Sequence, residues 1–524
     1  MTLEEQVASL NREEVIALLV AEREQRALES RSLEEKVSEL SRQLDWWRQQ
    51  YFGSKSEKRH APEDGRQLSF GELIPKEDMP ELGETVKAYQ RRHSKKRIED
   101  QVEEEGLRFD SSVPVEIIPV ENPDLQGLEP GKDYEIIGEK VTHRIAQRSA
   151  YVVLRYVRQV VKLKGAEKPT CLPAPASVLE RSYADVSFLA WLLIDKFMYH
   201  LPLYRQHQRL TAAGITLSRQ TLTNLVERAI ALLEPVYYAQ LSSILLSEVL
   251  LMDETYVKAG QAAKGKLNQA YFWPVYGDKD EVAFAFAQSR KHEEVGKILG
   301  SYAKTLVTDG YEAYARFAEK TSGMVHALCW SHTRRQFLKA ETATPELVKE
   351  ALRRIGKLYD YEERMRKKKI RGPDKLAFRA EYSRPVVADF FSWLTEAMRR
   401  ECLEPSNLFC KAVSYALERR TGLEVFLADP EVPIDTNELE RIIRPIPMGR
   451  RNWLFCWTEL GAEYVGKIQS LLQTCRLQGI DPYTWLVDVL QRVDTHPAFD
   501  VHLLTPRLWK QHFAAVPLRS AIDH

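Results

Sequence analysis

Two short apolar runs, each ending on an aspartate, constrain this chain more than any other feature. Val249-Leu250-Leu251-Met252 meets Asp253-Glu254-Thr255, and Thr305-Leu306-Val307-Thr308 meets Asp309-Gly310-Tyr311. Short apolar runs closed by polar or glycine residues read as buried strands. Between them, residues 270–276 and 282–287 read as a hairpin turning through Gly277-Asp278-Lys279-Asp280, and residues 292–302 read as a helix. A helix over 311–320 and a strand over 324–330 follow. The order is three strands, helix, strand, helix, strand, with an acid closing the first and fourth strands.

A third acid lies in the stretch I-D-T-N-E-L-E-R-I-I-R-P-I-P-M-G-R-R-N-W-L-F, residues 434–455. Asp435 followed three residues later by Glu438 has the spacing of a capping box, so a helix is expected to start there and to stop or kink at Pro445. Leu439, Ile442 and Ile443 fall on one side of that helix, and Asn437, Glu440, Arg441 and Arg444 on the other. Taken alone, the segment reads first as a surface helix with a Glu440–Arg444 ion pair.

Its company says more. The order of strands and helices resembles the ribonuclease H-like fold of DDE transposases. Met252-Asp253-Glu254-Thr255, Val307-Thr308-Asp309-Gly310-Tyr311, Cys329-Trp330-Ser331-His332-Thr333-Arg334-Arg335-Gln336-Phe337 and the stretch from Asp435 to Phe455 resemble successive blocks of the insertion-sequence sixty-six family of bacterial transposases. The last block of that family, an Asn three residues before the catalytic Glu, then Arg, R-P and G-R-(K/R)-N-W-L-F, is matched by Asn437, Glu440, Arg441, Arg444, Pro445, Gly449, Arg450, Arg451, Asn452, Trp453, Leu454 and Phe455. The resemblance implies a DNA transposase that binds the ends of an insertion sequence, cleaves the strands and joins the 3′-hydroxyl ends to target DNA. It further implies self-association, accessory transposition proteins of the same element, and a place in the bacterial cytoplasm at the nucleoid. Two alternatives stay open: a catalytically inactive or domesticated DNA-binding derivative, and a structure-specific nuclease of the same fold.

Phosphodiester cleavage must activate a water or hydroxyl, stabilise charge at phosphorus and neutralise the leaving oxyanion. Two Mg²⁺ ions about 3.5–4 Å apart, held by carboxylates, do all three. By the resemblance, Asp253 bridges both ions while Asp309 and Glu440 each complete one, with Mn²⁺ able to substitute. Glu254, next to Asp253, is expected to point the other way along its strand. Asn437, one turn before Glu440, is placed to orient it or to touch DNA. Arg441, Arg444, Arg450 and Arg451 suit phosphate, because guanidinium forks match its oxygens. One Cys and one His, Cys329 and His332, make a poor metal constellation, and a structural role is expected for His332.

The whole is expected to be a multidomain α+β chain. Residues 1–59 form a helical segment in which Leu33, Val37, Leu40, Leu44, Trp47 and Tyr51 trace a coiled-coil seam, open either to a second copy or to the chain's own body. Residues 60–112 read as a charged linker, and 113–180 as a small basic β module. The corresponding family segment often carries a cysteine zinc finger, but Cys171 stands alone there, so no zinc is expected. Residues 181–245 are helical, with Gly214 and Ser218 outlining a helix-turn-helix whose second helix carries Arg219 and Gln220; ordinary helix packing explains the same spacing. The catalytic core covers 246–340 and 431–478, an α-helical insertion covers 341–430, and a helical tail covers 479–524. Lys plus Arg and Asp plus Glu both number 75, so any DNA contact must come from local patches. The six scattered cysteines argue against a disulfide framework, and no run of about 18 apolar residues suggests a membrane span.

Overall fold

The computed structural model describes residues 101–523 apart from 105–106, 112, 130, 148–150, 165–166, 264–265, 402–406 and 453–455. The coiled-coil expectation for 1–59, nearly all of the linker, and Trp453, Leu454 and Phe455 lie outside the described residues. Glu99–Leu338 with Glu350–His524 forms one compact unit.

The linker expected through residue 112 ends sooner. Strands β1 (Gln101–Glu104) and β2 (Leu107–Asp110) pair antiparallel. Leu107 and Phe109 are buried, and the third strand of this sheet comes from a hundred residues downstream, which no local pattern reveals. The β module holds β3 (Val115–Val120), β4 (Tyr134–Gln147), β5 (Tyr151–Leu163) and β6 (Thr170–Cys171), in the order β3-β5-β4 with β6 on β5. Several of its basic residues are spent on the module itself. Arg158 donates to Leu172 O at 3.0 Å and Thr142 Oγ1 at 2.7 Å, and buried Arg144 bonds the carbonyls of Pro175 and Ala176.

In the helical region, helix Leu203–Ala212 leads through Gly214, at φ 83°, into β7 (Ile215–Thr216), which pairs with β2. Helix Arg219–Leu232 then starts at Ser218, whose Oγ accepts from Thr221 N at 3.0 Å. Arg219 and Gln220 are exposed in its first turn.

The central sheet contains β8 (Val249–Met252), β9 (Thr255–Ala263), β10 (Lys266–Gly277), β11 (Glu281–Ala287), β12 (Thr305–Thr308) and β13 (Val325–Leu328), in the order β11-β10-β8-β12-β13. β8 and β9 run along the same side of the long β10, which pairs with each in turn, and Asp253-Glu254 is the gap between them. The pairs β10–β11 and β10–β8 are antiparallel, whereas β12 is parallel to both β8 and β13. β9 is a strand that local periodicity missed; its outer half, exposed at residues 261–263, lacks a clean apolar alternation.

Helix Glu459–Leu477 closes the β11 edge, where unpaired N–H groups would otherwise face solvent. Gly466, Ser470 and Thr474 lie one turn apart on it. A Cβ at Gly466 would collide with Phe284 O, so glycine permits the approach. Ser470 Oγ then accepts from Phe284 N at 2.8 Å and Thr474 Oγ1 from Val282 N at 3.1 Å.

The insertion is helical, with Pro345–Lys367, Gly372–Phe378, Arg384–Glu401, Leu408–Glu418 and Arg420–Glu424. Arg379, fully buried, organises its return to the core: its Nε and Nη2 pair with Glu362 at 2.8 and 2.9 Å, and its Nη1 donates to the carbonyls of Phe426, Asp429 and Val432. Cys171, Cys329, Cys456 and Cys475 carry free thiols, and Cys410 is disulfide-bonded. Among the described residues no helix is long and apolar enough to cross a membrane.

Candidate active site

Backbone register brings the two aspartates together. β8 and β12 are parallel neighbours with Leu251 opposite Val307, so Asp253 and Asp309, each two residues further on, leave the same end of the sheet side by side. Gly310 supports the turn: its φ is 86°, and a Cβ there would press against the Arg419 and Tyr415 side chains. Tyr415, on the insertion helix Leu408–Glu418, donates its hydroxyl to Asp309 O at 2.8 Å, so the insertion buttresses the site.

Asp253, Glu254 and Asp309 each offer a carboxylate oxygen, and the three oxygens lie within 4.8 Å of one another. Burial, then the neighbouring charges of Glu254 and Asp309 and, more weakly, Glu440, push the Asp253 carboxyl up to about 8. Hydrogen bonds from Glu254 N to Asp253 Oδ1 at 2.7 Å and from Tyr311 N to Asp309 Oδ1 at 2.8 Å orient the pair.

Glu254 does not point away as strand alternation predicted, because alternation holds only within a strand and this residue occupies the gap between two. Its Oε1 is paired with Arg290 and its Oε2 accepts from Tyr314 Oη at 2.7 Å. Arg290 also stacks on Tyr311, 3.9 Å from the ring centre. Burial raises the Glu254 carboxyl and raises the enclosed Tyr314 hydroxyl far above its ordinary range.

Glu440 comes from helix Asn437–Ile443, whose Leu439, Ile442 and Ile443 are buried. The capping box is not formed. Thr436 takes the N-cap position without a side-chain bond to the helix's own N–H groups, and Asp435 Oδ1 instead accepts from Asn437 N at 3.0 Å. The helix is tied to the end of β13: Trp330 N donates to Ile434 O at 3.1 Å, and Thr436 N and Oγ1 donate to Cys329 Sγ at 3.3 and 3.4 Å. No Glu440–Arg444 pair forms among the described contacts. Arg335 Nη2 donates to Glu440 Oε1 and Oε2 at 3.1 and 3.2 Å, and His332 Nε2 stands 3.6 Å from Oε1. His332 and Arg335 are three apart on helix Trp330–Leu338, so they share a face, and that spacing was the signal available for both.

Of the other basic candidates, Arg441, Arg444 and Arg451 are exposed. Arg450 is partly buried: its Nη1 donates to Thr255 Oγ1 at 2.9 Å and to the Tyr256 carbonyl, and it stacks 3.8 Å from the Tyr256 ring centre, just past the acidic gap. Asn437 Nδ2 donates to Asp435.

Residues 181–464 match the Transposase IS66 family, and residues 470–506 match the IS66 C-terminal element. The chain belongs to the IS66 transposase family. It is 31% identical over 411 residues to the uncharacterized protein y4hP of Sinorhizobium fredii, covering 74% of this chain and 73% of that one. It is 30% identical to y4jD of the same organism over 336 residues, 61% of this chain and 65% of that one, and 29% identical to y4qI over 419 residues, 75% and 74%. A member of a transposase family is a DNA-processing, DNA-binding enzyme, and this family implies use of a divalent metal ion. The acidic centre fits such an ion: its donors are hard oxygens, crowded together, and its most buried carboxyl holds its proton up to about 8 when no cation offsets the charge.

Proposed function

We propose that this IS66 transposase cleaves the strands at the ends of its insertion sequence and joins the freed 3′-hydroxyls to target DNA, using Asp253, Asp309 and Glu440 as the metal-binding catalytic acids of a ribonuclease H-like core. The observation that carries this reading is the placement of Asp253 and Asp309 on adjacent parallel strands, with their carboxylates in one cluster and Glu440 close enough to be felt by Asp253. The sheet order β11-β10-β8-β12-β13, three antiparallel strands followed by two parallel ones, supports the ribonuclease H-like assignment.

Bound divalent ions, Mg²⁺ or Mn²⁺ in its place, would supply activation of the attacking hydroxyl and neutralisation of the leaving oxygen. The protein's share is positioning and charge. Asp253 and Asp309 are fixed by backbone register, Glu254 is locked between Arg290 and Tyr314, and Glu440 approaches on its own helix. Exposed Arg441, Arg444 and Arg451, with Asn437 at the start of that helix, are suited to the DNA backbone beside the scissile bond. Arg219 and Gln220, in the first turn of a capped helix, are suited to duplex outside the catalytic centre. Self-association through residues 1–59 and cooperation with accessory proteins of the element belong to the same proposal.

The test is Mg²⁺-dependent nicking and joining of a labelled element end with a supercoiled target, binding being followed in parallel. Cleavage and joined products are expected from the unaltered protein. Cutting without joining would replace this reading with a nuclease, and binding without cutting with an inactive derivative.

A further inference from the structure

Glu440 differs from the two aspartates in one respect: the protein already neutralises it. The carboxylates of Asp253 and Asp309 are oriented by backbone N–H groups, whereas Glu440 rests on the Arg335 guanidinium, through both oxygens, with His332 beside it. Asp253, Glu254 and Asp309 crowd within 4.8 Å of one another, and Glu440 stands outside that group. Both its oxygens are engaged by Arg335, so the guanidinium competes with any cation that Glu440 would share with the aspartates.

A guanidinium released by that competition stays at the rim of the centre. Helix Trp330–Leu338 is anchored by Trp330, which is fully buried, donates from Nε1 to Leu423 O at 2.8 Å and packs among Phe390, Phe391 and Phe426. Arg335, further along the same helix, has a side chain 46% exposed. Arg335 holds both carboxylate oxygens with the single nitrogen Nη2, and the planar guanidinium can present two donors to a phosphate.

We propose that Arg335 is an exchange residue: it holds Glu440 in the ion-free protein and passes to a phosphate of the bound DNA strand when Glu440 turns toward the divalent ions. This rests on Glu440 being one of the metal-binding acids. The exchange couples two binding events. An ion that takes Glu440 frees a cation for DNA, and DNA that takes Arg335 frees a carboxylate for the ion, so each ligand tightens the other by the same factor.

The experiment uses the full chain and needs no turnover. Mn²⁺ binding without DNA is measured by calorimetry, and binding of a labelled duplex carrying the element's terminal sequence is measured in Ca²⁺ and in EDTA. The unaltered protein is expected to bind the duplex on the order of tenfold tighter in Ca²⁺. Arg335→Gln should bind Mn²⁺ more tightly than the unaltered protein, on the order of fivefold, and should lose the Ca²⁺ advantage for DNA. Arg335→Lys, which keeps the charge without the fork, should restore the weaker Mn²⁺ affinity and only part of the DNA coupling. An Arg335→Gln protein that binds Mn²⁺ no tighter, or that keeps the full Ca²⁺ advantage, overturns the exchange. Glu440→Gln separates the two levels of inference. If it binds Mn²⁺ as the unaltered protein does, the assignment of the third acid fails; if it loses Mn²⁺ while Arg335→Gln behaves normally, only the exchange fails.

Discussion

The strand ends at Asp253 and Asp309 and the helix that carries Glu440 solve the same problem, holding a negative charge at one place, in opposite ways. The aspartates are set side by side by the register of two parallel strands, and burial, then the charges of Glu254 and Asp309, push the Asp253 carboxyl up to about 8. Glu440 arrives on a seven-residue helix after a long helical insertion and is balanced by Arg335, with the His332 ring, whose pKa burial lowers, beside it. A site on rigid neighbours stores unfavourable charge that a cation relieves. A site on a separate helix, with its own counter-ion, can be engaged or released.

The largest expected effects test whether both halves serve one reaction. Asp253→Asn and Asp309→Asn should each lower strand cleavage by about a thousandfold or more while leaving DNA binding largely intact, since each removes a charge from an ion-binding centre. In metal-free buffer near neutral pH neither should be less heat-stable than the unaltered protein, because Asp253→Asn removes a buried carboxyl that must keep its proton and Asp309→Asn removes a charge beside it. Marked destabilisation of both, read by calorimetry, would break the contrast between the strand ends and the helix. Glu440→Gln should lose cleavage to a similar extent but gain no stability in EDTA, since its charge is already matched; a gain equal to that of the aspartate variants would show Arg335 to be idle.

Next comes the route by which Glu440 reaches the site. Arg379→Ala leaves Glu362 without its buried partner and three carbonyls without a donor, at a cost of about 3–5 kcal/mol. Denaturant unfolding checks the loss, and a change under about 1 kcal/mol would show that the insertion holds its return segment by packing alone.

A pH experiment sharpens the strand side of the comparison. His326, on β13, contacts Thr308 Oγ1 at 2.9 Å, and burial pushes its pKa down to about 4. The folded state therefore keeps it neutral while the unfolded chain takes up a proton below the ordinary value. Its contribution is present above about pH 6.5 and is lost as pH falls toward 4, about 3 kcal/mol in all. His326→Gln should flatten that part of the stability profile, and an unchanged slope would place the acid sensitivity elsewhere. The smallest effect expected is that of Tyr415→Phe, which removes one hydrogen bond to Asp309 O, costs about 1 kcal/mol and lowers cleavage modestly through the position of Asp309.

Local chemistry determined much of this protein. Four-residue apolar runs closed by acids made β8 and β12 legible, because a buried strand needs an unbroken apolar stretch, and the i, i+3, i+4 pattern of Leu439, Ile442 and Ile443 identified the buried face of the Glu440 helix. The motif blocks were legible for the same reason: each lies within one contiguous segment. What the tertiary structure alone decided involves partners far apart in sequence. Glu254 joins Asp253 because the strand breaks between β8 and β9, and that break is defined by pairing with β10. Glu440 meets Arg335 across 105 residues, Tyr415 reaches Asp309 across 106, and β2 finds β7 across a similar span. The stacking of Arg450 on Tyr256 joins residues far apart in the same way. Periodicity records which face of an element is buried, but it does not record what the face meets; the closing of the chain into a core chooses each charge's partner, and here that choice sets Asp253 beside Asp309 and Glu440 against Arg335.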